Sequence, residues 1–109
     1  MRYKYLSILI PSLFTIQSFA QQTDVTVGEK LIAKSDCAAC HKDKFKLIGP
    51  SYADIAAKYP QTPKNIALLS EKIIKGGKGV WGSIPMSEHK DISKKDAAEM
   101  VKYILSIKK

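Results

Sequence analysis

Four stretches of the chain place apolar residues three or four positions apart, which is the spacing of one face of an α-helix. No stretch alternates apolar and polar residues as a half-buried strand would. The pattern therefore predicts one all-α domain of about four helices. Their apolar positions are Leu31, Ile32 and Ala33; Ile55 and Tyr59; Ile66, Leu69, Ile73 and Ile74; and Ala97, Val101, Ile104 and Leu105.

Capping residues and turn formers mark the ends of these helices. Thr62 and Pro63 favour the N-cap and the first position of the third helix, and Gly76 and Gly77 favour its end. Pro60 ends the second helix. The other helix starts carry a hydroxyl residue three positions before an acidic one, the spacing of a capping box: Thr26 and Glu29, Ser51 and Asp54, Ser93 and Asp96.

The first 20 residues have the features of a secretory signal peptide. A basic start is followed by an apolar stretch from Leu6 to Phe19, and small residues at Ser18 and Ala20 suit a signal peptidase. The stretch is interrupted by polar residues and is short for a membrane span, although an uncleaved anchor is the alternative. We expect residues 1–20 to be cleaved and residues 21–109 to form one small domain.

The chain is basic, with a net charge of +8. Loss of Arg2 and Lys4 with the signal peptide would leave 16 cations and 10 anions, a net charge of +6. Export argues against nucleic acid as the partner, so the charge is expected to attract an acidic protein or an anionic surface. A solvated basic surface with no partner is the alternative.

Residues 37–41 have the sequence CAACH, which contains the only two cysteines of the chain. This is the attachment signature of a c-type haem, in which both thiols bond to the porphyrin and the histidine binds the iron. A thioredoxin-like pair would need a βαβ context, which the pattern lacks. A zinc site would need Cys37, Cys40, His41 and His89 together, and two of these are adjacent in sequence. We therefore predict one haem c attached through Cys37 and Cys40, with His41 as an iron ligand.

Both sides of the iron need an assignment. The second ring nitrogen of His41 should donate to a carbonyl, for which Pro50 is a candidate. On the other side, Met86 follows a proline in an irregular loop and is the favoured ligand, while His89 is the main rival. Met100 belongs to the periodic last helix and is expected to pack in the core.

Three segments, 37–41, 48–52 and 79–86 (CAACH, IGPSY and GVWGSIPM), and the last helix follow one another in a familiar order. The chain resembles the small class I bacterial cytochromes c, the monohaem periplasmic carriers that serve nitrite reductases and terminal oxidases. The resemblance covers the whole chain after residue 20, and the third segment is its most specific part. It implies the class I cytochrome c fold, with about four helices around one covalently attached haem.

The resemblance also implies roles for individual residues. Met86 would be the sixth iron ligand, the Pro50 carbonyl would accept a hydrogen bond from His41, and the Trp81 indole would reach a haem propionate. Plain core packing is the alternative for Trp81. His89 stands where family members often carry an asparagine that donates to the methionine sulfur, so that hydrogen bond is in question.

The implied function is electron transfer without catalysis, between a donor and a terminal oxidase or reductase in the periplasm. The protein is expected to be a monomer, with no stable membrane insertion after signal cleavage, that meets partners with an acidic docking face. Five lysines near the haem segments are candidates for a basic docking ring: Lys42, Lys44, Lys46, Lys78 and Lys90. The alternative function is a haem enzyme or sensor with an open distal site.

Overall fold

A computed structural model describes residues 9–15 and 25–108 of the chain. Within these residues there are four α-helices, one turn of 3₁₀ helix and no strand, so the all-α prediction is confirmed. Two isolated antiparallel bridges join His41 to Lys46 and Gly77 to Met86. The helices are α1 (Val25–Ala33), α2 (Tyr52–Lys58), α3 (Pro63–Lys75) and α4 (Lys94–Ser106), and the 3₁₀ turn is Cys37–Ala39.

Three of the four predicted helix starts are confirmed. The hydroxyls of Ser51, Thr62 and Ser93 each accept a hydrogen bond from the backbone N–H three residues later, at 3.0, 3.2 and 3.1 Å. The start predicted at Thr26 is wrong, because α1 already includes Val25. The side chain of Thr26 lies outside the part of the chain that is described.

Helix α4 is the centre of the fold, because α1, α2 and α3 all pack against it. The core combines α4 with one or two residues from each neighbour, and Met100 is 1% exposed within it, as predicted. Burial of these apolar side chains is the main stabilising contribution in a domain of this size. The buried cluster consists of Ile32, Tyr52, Ile73, Ala97, Met100, Val101 and Leu105.

The crossing of α1 and α4 is unusually close. Gly28 is buried at this crossing, and a Cβ atom added to it would collide with the Glu99 carbonyl and the Cβ of Tyr103. A glycine is required here for steric reasons, because any side chain would separate the two helix backbones.

The predicted cleavage point after Ala20 lies outside the described residues. Upstream of it, the apolar residues within 9–15 are highly exposed, with Leu9 at 92% and Phe14 at 91%. Among the helices in the described part of the chain, none combines the length and apolar character needed to cross a membrane.

Candidate functional site

The two cysteines lie on a tight turn at the end of the segment that follows α1. The Cys37 carbonyl accepts hydrogen bonds from the backbone N–H groups of Cys40, at 3.1 Å, and His41, at 2.9 Å. Both thiols are free and half-buried. Burial raises the pKa of the Cys37 thiol, and the negative charge of Asp36 raises it further. A reactive redox pair needs the opposite, a lowered thiol pKa.

The imidazole of His41 has a defined orientation and tautomer. Its Nδ1 lies 2.7 Å from the carbonyl oxygen of Pro50. Because a carbonyl can only accept, Nδ1 carries the hydrogen and donates it, which leaves the lone pair on Nε2. In this arrangement Nε2 is the ring nitrogen of His41 that can bind a metal.

Two neighbours pack against the faces of the His41 ring. Tyr52 stacks on it, with ring centroids 5.6 Å apart and an angle of 21° between the planes. Gly49 makes room for it, since a Cβ atom there would lie 2.6 Å from Cε1 of His41. The N–H of Gly49 also donates to the Cys40 carbonyl at 2.8 Å, so the loop returns to the attachment motif. The IGPSY segment, residues 48–52, thus shapes the pocket for His41.

Met86 is fixed by its backbone. Its N–H and carbonyl form paired hydrogen bonds with Gly77, at 2.9 and 3.0 Å. Gly76, which ends α3 as predicted, has a positive φ of 67°, and a Cβ atom there would collide with the Met86 carbonyl. The Met86 side chain is half-buried and packs against the same core cluster as Cys37.

The loop between Gly77 and Met86 is apolar and open. Val80, Trp81 and Ile84 are 55%, 42% and 66% exposed. The Lys58 ammonium at the end of α2 lies 5.8 Å from the centroid of the Trp81 ring, a distance typical of a cation–π contact. This contact could not be predicted from the sequence, because Lys58 and Trp81 belong to different elements.

His89, the rival to Met86, has both ring nitrogens engaged elsewhere. Nε2 lies 2.7 Å from Oδ1 of Asp36, and Nδ1 lies 3.2 Å from the carbonyl oxygen of Ile73. Neither nitrogen is therefore available to a metal in this arrangement. Within residues 9–15 and 25–108, no three His, Cys, Asp or Glu side chains are grouped so that they could hold a metal ion.

A groove of about 450 Å³ lies beside the site. It includes His41 but none of Cys37, Cys40, Trp81 and Met86, so it does not bring the predicted site residues together. One of the residues that line this groove, Tyr52, has a buried hydroxyl with no hydrogen-bond partner among the described residues, and burial raises the pKa of Tyr52. The groove is lined by Glu29, Ile32, Ala33, Ala38, His41, Lys42, Asp43, Lys44, Phe45, Tyr52 and Tyr103.

The residues of the site fit a covalently attached haem. Two free thiols two residues apart precede an imidazole whose Nε2 is unprotonated, and Gly49 leaves space for that ring. Exposed apolar side chains in the loops after the motif and before Met86 suit a large, flat, apolar group: Leu47, Ile48, Val80, Trp81 and Ile84. The fold and the donor set together define a small all-α c-type haem protein.

Comparison with known proteins supports the assignment to the c-type haem proteins. Residues 25–108 match the family model for cytochrome c, and the chain belongs to the cytochrome c family. Cytochrome c-552 of Nitrosomonas europaea is 34% identical over 108 residues, which is 99% of this chain and all of that protein. Cytochrome c-552 of Hydrogenobacter thermophilus is 44% identical over 81 residues, or 74% of this chain and 82% of its own length.

Solved structures show the same fold. The crystal structure of Nitrosomonas europaea cytochrome c552 superimposes with a TM-score of 0.68 at 40% identity, covering 73% of this chain and 99% of that one. A class 1 cytochrome from Sideroxydans lithotrophicus ES-1 gives a TM-score of 0.62 at 27% identity, covering 77% and 96%. The predicted class I cytochrome c fold is confirmed.

Family membership establishes the cofactor and the general activity. The protein is an electron carrier with covalently attached haem c, and it is not an enzyme.

The sequence did not predict that Asp36 pairs with His89, nor that Gly49 and Tyr52 enclose the His41 ring. The IGPSY segment could have indicated that Gly49 and Tyr52 enclose His41, whereas nothing in the sequence indicated the contact between Asp36 and His89.

Proposed function

We propose that the protein shuttles single electrons in the periplasm through a haem iron closed on both sides by His41 and Met86. The observation that supports this best is that Cys37 and Met86, which are 49 residues apart in sequence, pack against one buried core. A thioether held there by paired backbone bonds is well placed to close the methionine side. When bound, the haem supplies a one-electron Fe(III)/Fe(II) couple, whose potential methionine ligation raises.

The protein's own residues have distinct parts in this proposal. The hydrogen bond from His41 to Pro50 keeps Nε2 directed at the iron and increases the basicity of the imidazole. Met86 excludes small molecules from the other side. Trp81 would hold the haem through its ring and a propionate through its indole N–H, and Lys58, 5.8 Å from the Trp81 ring centroid, would bring a positive charge to that anionic group.

In this proposal, residues 1–20 are a signal peptide that is cleaved from the exported protein. Residues 21–109 would then act in the periplasm as a monomer, between a membrane or periplasmic donor and a terminal oxidase or reductase. Two observations support the division at residue 20: the signal-peptide pattern of the first 20 residues, and a family-model match that spans residues 25–108.

Carbon monoxide distinguishes a closed carrier from a haem enzyme or sensor. Reduced protein at neutral pH should bind carbon monoxide only slowly and incompletely, because Met86 occupies the sixth position. The measurement is the Soret spectrum after addition of the gas. Rapid, stoichiometric binding would contradict the proposal and favour the open-site alternative.

Lysines of the two haem-flanking loops form the proposed docking surface. Lys44, Lys46, Lys78 and Lys90 are exposed, whereas Lys42 is half-buried, and Lys90 lies 3.4 Å from Glu88, which offsets part of its charge. A basic surface accelerates encounter with an acidic partner through a small, short-lived interface.

Salt should slow electron transfer to an acidic partner. The rate should fall on the order of tenfold between low and high ionic strength, because the screening length contracts from about 30 Å at 0.01 M to about 3 Å at 1 M salt. Stopped-flow reduction of the partner measures this. Lys44→Glu should reduce both the rate and its salt dependence, whereas Lys95→Glu on the exposed face of α4 serves as the matched control. A rate that ignores salt would indicate an apolar docking surface instead.

A further inference from the structure

His89 joins three parts of the chain that are far apart in sequence. Its Nε2 is 2.7 Å from Oδ1 of Asp36, its Nδ1 is 3.2 Å from the Ile73 carbonyl, and its backbone N–H donates to the Ile74 carbonyl at 3.0 Å. The His89 side chain is only 15% exposed, whereas that of Asp36 is 71% exposed. The loop that follows Met86 is thereby connected to the end of α3 and to the segment that leads into the haem attachment.

The hydrogen-bond partners of His89 require a charged imidazole. A backbone carbonyl and an ionised carboxylate can only accept, so both ring nitrogens must carry a hydrogen for both contacts to be hydrogen bonds. A neutral ring would lose one of them and would turn a lone pair toward an oxygen. The negative end of α3, where Ile73 and Ile74 lie, favours the same positive charge.

The charged groups around His89 come from several elements. Asp36 and Asp91 favour the cationic form, and the hydrogen bond to Asp36 is the main reason that the pKa of His89 is raised. The same contact lowers the pKa of Asp36. Partial burial of the ring acts in the opposite direction. Lys72 and Lys75 lie in the last turn of α3, where Lys75 is paired with Glu71 at 2.8 Å.

The position of this bridge relates it to the iron ligand. Asp36 immediately precedes Cys37, and His89 comes three residues after Met86. We propose that the hydrogen bonds of His89 to Asp36 and Ile73, which we call the His89 clasp, hold the Met86 loop against the Cys37 segment and so determine how readily Met86 leaves the iron. His89 is then a positioning residue that acts through Met86, and this inference rests on the proposed ligation by Met86.

The clasp has a defined pH window. The pKa of His89 is raised above its ordinary value of 6.5, so its contribution to stability is complete below that pH and is lost as the pH rises through the folded-state value. The pKa of Asp36 is lowered from 3.8, so its contribution is present above that pH and is lost under more acidic conditions. The clasp is strongest between these two ordinary values and weakens toward alkaline pH.

Displacement of Met86 by added imidazole tests the clasp in the oxidised holoprotein. The rate is followed by loss of the thioether-to-iron charge-transfer band. His89→Ala should accelerate displacement on the order of fivefold, as expected for a partly exposed ionic hydrogen bond. Asp36→Ala should do the same, since the Asp36 side chain caps no helix. The double variant should be no faster than His89→Ala alone, because that variant has already lost the contact with Asp36.

A pH series separates positioning from plain stabilisation. In the wild type, at a constant concentration of neutral imidazole, displacement should accelerate as the pH rises through the value at which the His89 side chain titrates, measured by NMR on the same protein. That step should be absent from His89→Ala, and NMR should place the His89 pKa lower in Asp36→Asn, which keeps the shape of the side chain.

Glu88→Ala provides the matched control. It removes an exposed ion pair with Lys90 in the same loop without touching Asp36, and it should leave the displacement rate unchanged. Equal rates in the wild type and both single variants would overturn the clasp, as would additive effects in the double variant. If the wild type lacks the thioether band altogether, the proposed ligation fails rather than the clasp.

Discussion

Replacing Met86 with alanine should abolish the thioether-to-iron charge-transfer band and open the iron to carbon monoxide. Alanine has no donor atom, and the backbone pairing with Gly77 does not depend on the side chain, so the loop should keep its path. Binding should become rapid and stoichiometric, and the reduction potential should fall because methionine ligation raises it. Absorption spectroscopy with carbon monoxide and a redox titration measure these effects.

The loss of stability should be modest by comparison. Met86 is only half-buried, so its truncation should cost less than the roughly 2–5 kcal/mol found for fully buried methionines. Met100→Leu is the matched control: it replaces the buried methionine of α4 at similar volume, should cost under about 1.5 kcal/mol, and should leave the band intact. Loss of the band in Met100→Leu, with retention in Met86→Ala, would show that the ligand is misassigned.

Substitution of Gly28 by alanine should produce a large loss of stability for the addition of one methyl group. In a free helix this change would be favourable by about 1 kcal/mol. At the crossing of α1 and α4 the new methyl group would meet the Glu99 backbone, which cannot move without shifting α4. Overpacking of this kind costs about 1–3 kcal/mol or more, so the melting temperature should fall by roughly 10 °C.

Thermal and denaturant unfolding of the holoprotein, followed by circular dichroism, measure this effect. Lys30→Ala, on the exposed side of the same helix, is the control and should change the free energy of unfolding by less than about 0.5 kcal/mol. A Gly28→Ala variant as stable as the wild type would mean that the two helices are not in close contact.

Features encoded by neighbouring residues were predictable from the sequence. The caps at Ser51, Thr62 and Ser93 depend on atoms three residues apart, and the glycine that ends α3 depends on its own φ. The haem attachment motif is equally local. The start of α1 was misplaced, which is the usual weakness of pattern-based helix boundaries.

Features that depend on tertiary contacts were not predictable. His89 was considered only in relation to Met86 and the iron, because nothing near it in sequence indicates that Asp36, 53 residues earlier, faces its ring. Nothing in the sequence identified Glu99 and Tyr103 as the groups that approach Gly28. The 3₁₀ turn at Cys37–Ala39 was missed because three residues carry no periodicity.

The surroundings of His41 and Met86 differ in how far along the chain their contacts reach. Tyr52, Pro50 and Gly49 all lie within about a dozen residues of His41, so this half of the site closes only short loops. Met86 meets a core built from residues as distant as Ile32 and Leu105. Closing short loops costs less entropy and is faster. We therefore expect the histidine side to organise first during folding, with the methionine ligand arriving only as the helices assemble.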